Sequence, residues 1–70
     1  MNNALAIPLP AMLAQASTPA ESRHVETVSK TAMAYYEEQA DYEGYMHAWR
    51  VYLLARRKTT ELVRAAIDNN

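Results

Sequence analysis

Asp41-Tyr42-Glu43-Gly44 sits in the middle of a long, proline-free, highly charged stretch, and its reading decides the fold. Gly44 suits the position just past a helix C-terminus, where the backbone turns left-handed, and Asp41 suits the cap of a second helix. Read this way, residues 19–42 and 45–68 are two helices folded back as an antiparallel hairpin. Two or three residues leave little room for that turn, and no Ser, Thr, Asp or Asn follows Gly44 closely to cap a new helix. A helix interior also tolerates one glycine at about 1 kcal/mol relative to alanine. The second reading is therefore one long bent helix of about fifty residues, ~75 Å from end to end. Such a helix cannot bury its apolar stripe alone and has to self-associate. The balance leans to a break at 40–45.

N-terminal to this point, the helical body begins at Thr18. Thr18 is the N-cap, Pro19 takes the first helical position, and Glu21 stands three residues after the cap, which together make a capping box. From there no further proline occurs, and Asp68-Asn69-Asn70 reads as the stop. Apolar residues recur alternately three and four positions apart at Val25, Val28, Ala32, Tyr35, Gln39, Tyr42, Met46, Trp49, Leu53, Arg56, Thr60, Val63 and Ile67. Only Gln39, Arg56 and Thr60 interrupt this seam, and Tyr36, Tyr45, Tyr52, Leu54 and Leu62 widen it toward the stripe of a bundle. Acidic Glu37, Glu38, Asp41 and Glu43 precede basic Arg50, Arg56, Arg57, Lys58 and Arg64, so antiparallel pairing is charge-compatible and parallel pairing is not. In a hairpin, Glu38 approaches Arg50.

Ahead of Thr18 the character of the chain changes. Residues 1–20 carry no charged side chain, and the seven basic and eight acidic residues all follow. Pro8 and Pro10 each fix their own φ and disfavour helical backbone for the residue before, so residues 4–10 are expected to be extended, with Pro10 opening a short helical turn through Ala11–Ala16. Residues 1–17 thus read as an uncharged arm on a helical body at 18–70. Leu5, Ile7 and Leu9 are its candidate contacts with a partner, a second copy or the chain's own helices. Ala14-Gln15-Ala16 imitates a signal-peptide cleavage site. However, no Lys or Arg precedes the apolar run and two prolines break it, so a soluble, cytoplasmic protein is expected, with no membrane span.

Seventy residues bury only ~60% of their unfolded surface, and small scaffolds usually need a disulfide, a metal or a partner. The chain has no cysteine, one glycine and a net charge of −1. Disulfides and thiolate metal sites are excluded, a glycine-rich phosphate loop is excluded, and no bulk attraction to nucleic acid or anionic membrane exists. Glu21 and His24 share a helix face, as do Glu43 and His47, but neither pair has the further ligands a metal centre needs. Ser17, Ser22 and Ser29 lack the sharp glycine elbow of a nucleophile. No enzyme, metal or cofactor is expected.

Two features remain. Tyr42, Tyr45, Trp49 and Tyr52, with Tyr35 and Tyr36, form an aromatic cluster suited to a core, a subunit interface or a binding hot spot. Arg56-Arg57-Lys58 is the candidate nucleic-acid surface, with Tyr52 or Trp49 available for stacking.

Ala34-Tyr35, Gln39-Ala40 and Ala55-Arg56-Arg57-Lys58-Thr59-Thr60-Glu61-Leu62 resemble a helical segment common in small proteins of phages, plasmids and bacterial genomes. That segment carries Tyr-x-x-Gln-Ala followed by Arg-Ala-Glu-Arg-Arg-x-Gly-Glu-Leu. The likeness covers about half the chain and departs from the pattern at Arg56 and Thr60. It implies a helical accessory protein of a mobile element. The expectation is a small all-α, homo-oligomeric protein that binds another protein and modulates a larger complex. The alternatives are a DNA- or RNA-associated regulator and a structural subunit.

Overall fold

Thr18 starts the body of the protein as its residue type predicts. Its side chain accepts a hydrogen bond from the Glu21 amide at 3.1 Å. The Glu21 carboxylate reaches back one residue further than in the usual box, accepting from the Ser17 amide at 2.8 Å and the Ser17 hydroxyl at 3.1 Å. The Ser17 amide, then its hydroxyl, hold the Glu21 carboxyl below its ordinary value, with a smaller contribution from Thr18. The cap is therefore at full strength above the ordinary carboxyl range and weakens as pH falls through the lowered value.

The computed structural model describes residues 8–69, which form three helices: α1 (Leu9–Gln15), α2 (Pro19–Glu38) and α3 (Tyr42–Asp68). The protein is all-α, and no strand occurs among the described residues. Between α2 and α3 only Gln39, Ala40 and Asp41 lie outside the helices. The Ala40 amide donates to the Glu37 carbonyl at 3.1 Å and the Asp41 amide to the Tyr36 carbonyl at 2.9 Å. That pair of bonds is a Schellman motif, which needs a left-handed residue at its centre. Ala40 fills this position with φ of 55°. Asp41 then caps α3 at once, its Oδ1 accepting from the Gly44 amide at 3.0 Å. Asp41 thus takes the capping role read for it. Gly44 does not end a helix; it lies inside the first turn of α3, and α2 stops at Glu38 rather than residue 42. An L-residue in the left-handed region costs roughly 1–2 kcal/mol. Ala40→Gly is expected to stabilise the fold by about 1 kcal/mol, read as a raised thermal midpoint.

The packing of α2 on α3 runs from Tyr36 against Gly44, beside the turn, to Ser22 at the far end. The Ser22 hydroxyl donates to the Ala55 carbonyl at 2.9 Å. The residues in the seam are small: Ser22, Val25, Ser29 and Ala32 on α2, and Ala48, Val51, Ala55 and Thr59 on α3. This corrects the seam expected from the sequence. On α2 its Val25 and Ala32 are buried, but on α3 no seam position is fully buried: Met46 and Val63 are half-buried, and Tyr42, Trp49, Leu53 and Ile67 are exposed. Small side chains let two helix backbones approach closely, and the close approach gains dispersion contacts that large residues would hold apart. The Thr59 hydroxyl closes this seam, with Glu26 Oε2 at 2.6 Å, Ser22 Oγ at 2.8 Å and the Ala55 carbonyl at 2.9 Å. It has one proton to donate, and the carboxylate is the strongest acceptor of the three.

Ser29 is the exception among these polar groups. Its hydroxyl is fully buried and has no hydrogen-bond partner. An unsatisfied buried hydroxyl costs roughly 1–3 kcal/mol. Ser29→Ala is expected to raise stability by about 1 kcal/mol, seen as a higher denaturant midpoint at unchanged slope.

The short helical turn expected at 11–16 begins earlier, at Leu9, inside the stretch expected to be extended. Leu9–Gln15 is helical, with Pro8 before it and Pro10 in its first turn, where a missing amide does no harm. Helix α1 packs on both α2 and α3, and Leu9 and Ala16 join the core beside Val25 and Ala55. Its open C-terminal end is held by Lys58 of α3, whose Nζ donates to the Leu13 carbonyl at 2.6 Å and the Ala14 carbonyl at 3.5 Å. A cation there satisfies orphan carbonyls and meets the negative end of the helix dipole. Leu9 is 2% exposed, so it belongs to the protein's own core and not to a partner contact. Leu5 and Ile7 lie outside the described residues.

Candidate protein-interaction face

Helix α3 carries two stripes. At about 100° per residue, Gly44, Ala48, Val51, Ala55 and Thr59 fall on one side and face α2. Tyr42, Met46, Trp49, Leu53, Thr60, Val63 and Ile67 fall well round the helix from them. Tyr42 is 73% exposed, Trp49 38%, Leu53 42% and Ile67 66%. The seven-residue rhythm in the sequence is therefore real, but it describes the outside of α3. Four of the five exposed large apolar side chains among the described residues fall on this face; Leu54, 52% exposed, stands apart from them round the helix.

The four aromatic residues expected to bind a partner all lie on α3. Tyr42 and Trp49 stand on the outer stripe, while Tyr45 and Tyr52 are half-buried along one edge of it. Tyr42 forms a ridge between two shallow concavities. One of about 290 Å³ is lined by Glu37, Ala40, Asp41 and Tyr45, and one of about 320 Å³ by Glu43, Met46, His47 and Arg50. The turn end therefore offers aromatic surface framed by carboxylates. Leu53 and Ile67 belong to the face as well. The signal that would have placed them outside is the second, small-residue rhythm of Gly44, Ala48, Val51, Ala55 and Thr59.

The basic run behaves differently. Three consecutive helical residues fan out over about 200°. The Arg56 guanidinium lies over the Tyr52 ring at 5.9 Å, Arg57 meets Glu61 at 3.7 Å, and Lys58 is turned to the end of α1. The three cations do not form one surface. The expected approach of Glu38 to Arg50 makes no ion pair; Arg57–Glu61 is the only one among the described residues. Of the two Glu/His pairs, Glu21 is committed to Ser17. Among the described residues no three His, Asp or Glu side chains come together to hold a metal, and no helix is long and apolar enough to cross a membrane.

No protein-family model, curated protein or solved structure matches the chain.

Proposed function

We propose that this chain is a small non-enzymatic protein-binding protein, an antiparallel helical hairpin that presents the outer face of α3 to another protein. It acts stoichiometrically, as an accessory protein of a phage or other mobile element that modulates a larger complex. The carrying observation is that the α2–α3 seam is filled by small residues, leaving Tyr42, Trp49, Leu53 and Ile67 outside. Trp and Tyr combine large contact area with a polar tip and dominate binding hot spots. The divergence of Arg56, Arg57 and Lys58 weighs against the nucleic-acid reading.

The test is capture of the partner from native extract by the tagged chain, followed by a binding titration. Trp49→Ala is expected to weaken binding by about thirtyfold, the size of a hot-spot loss of roughly 2 kcal/mol. Arg56→Ala/Arg57→Ala is expected to change it by less than about threefold, the measure of an exposed pair. Salt-sensitive retention of nucleic acid, abolished by that double variant and not by Trp49→Ala, would overturn the reading.

A further inference from the structure

The outer stripe of α3 has a polarity that singles out one occupant. Tyr42, Met46, Trp49 and Leu53 fill its first half, and Arg56, Thr60, Val63 and Ile67 its second. Bulk is concentrated toward the N-terminal half. Charge alternates in sign along its exposed flank, where Glu43, then Arg50 and Arg57, then Glu61, then Arg64 follow one another. A face built this way is complementary to itself when reversed.

We propose that the outer stripe of α3 is covered by the same stripe of a second copy, running antiparallel about a twofold axis near residues 54–55. The proposal rests on the reading of this face as protein-binding: a second copy covers it in the free protein, and the other protein displaces that copy. In that register Trp49 lies opposite Thr60, Tyr42 opposite Ile67, Met46 opposite Val63 and Leu53 opposite Arg56. Each large residue of the first half meets a smaller or flexible one of the second, so Arg56 and Thr60 become the partners of the largest knobs rather than faults in the seam. A twofold axis perpendicular to both helices keeps a flank beside its own copy. Glu43 then falls within about 3 Å, along the axis, of Arg64 in the second copy, and Arg50 falls equally near Glu61 and Arg57, whose charges offset each other there, so the Glu43–Arg64 pair carries the complementarity. Symmetry makes that pair twice. Parallel, in-register packing places Glu43 beside Glu43 and Arg64 beside Arg64, and it aligns the helix dipoles unfavourably. The dimer also supplies what a cysteine-free chain of 7.9 kDa otherwise lacks, a partner subunit to enlarge its core.

Sedimentation equilibrium on the full chain tests this, with circular dichroism to show that each variant stays helical. A species of twice 7.9 kDa is expected. Trp49→Ala is expected to leave only monomer at low micromolar concentration. Glu43→Arg and Arg64→Glu are each expected to weaken the dimer by about tenfold, since each reverses two ion pairs. The two changes combined in one chain restore it. Because the chain has no cysteine, Glu43→Cys and Arg64→Cys chains, mixed, cross-link through a short bis-maleimide, whereas Glu43→Cys alone does not. A monomer at high micromolar concentration, failure of the double reversal to restore the dimer, or self-cross-linking of Glu43→Cys overturns the proposal. Partner capture that still depends on Trp49 in a monomeric chain leaves the broader protein-binding reading standing. Loss of both overturns the two together.

Discussion

Ala55→Leu is expected to separate α2 from α3, with loss of a cooperative thermal transition in circular dichroism. Nothing in the local sequence warns of this. Alanine and leucine are both strong helix formers, and the change adds apolar volume to a chain that is already half apolar. The reason is tertiary. Ala55 is 0% exposed, and its carbonyl accepts the Ser22 hydroxyl at 2.9 Å across the seam. An isobutyl group there has no solvent-exposed space to enter. Overpacking a tight core costs roughly 1–3 kcal/mol and occasionally more. Here it also pulls Ser22 from Ala55 and disturbs Thr59, which bridges to Ser22 and Glu26. A single small core rarely supplies more than about 3–5 kcal/mol, so the variant is left with little or no net stability. A melt unchanged from the parent would show that the seam is loose enough to accept a large residue.

Gly44→Ala is expected to lower stability by about 1–3 kcal/mol, opposite in sign to helix propensity. Propensity alone favours alanine in a helix by about 1 kcal/mol. A Cβ at Gly44, however, would stand 2.5, 2.6 and 2.8 Å from three atoms of the Tyr36 ring. The ring cannot yield freely, because it packs edge-on against Tyr35 at 5.5 Å and against the buried core. Denaturant midpoints read the sign directly. In a Tyr36→Ala background the same Gly44→Ala change is expected to become stabilising, because the clash is gone and only propensity remains.

These two positions also show why part of the fold was legible and part was not. Capping is local chemistry, so Thr18, Pro19, Glu21 and Asp41 could be read from their neighbours alone. The left-handed residue between the helices is Ala40 and not the glycine, so the usual marker pointed four residues too far. The small stripe on α3 is masked by a louder one, since a search for apolar rhythm rewards Trp49 and Leu53 over Ala48 and Ala55. The interruptions at Arg56 and Thr60 were the residual sign that the louder stripe was not the seam. Helix α1 was legible only in part: Pro10 marked the short helical turn over 11–16, but its start at Leu9 and its docking were not, because what holds Leu9–Gln15 in place is the burial of Leu9 and the reach of Lys58 from more than forty residues away. The aromatic residues are plain in the sequence, yet which of them are exposed, Tyr42 and Trp49, follows only from knowing which side of α3 the second helix takes.

The central claim is that the small stripe of α3 meets α2 and the large stripe does not. Intramolecular nuclear Overhauser effects test it most directly. Contacts are expected from the Tyr36 ring to the Gly44 α-protons and between the methyl groups of Ala32 and Ala48, with none from the Trp49 indole to α2. Contacts from the Trp49 indole to Val25 or Ala32, or the absence of any α2–α3 contact, would contradict it.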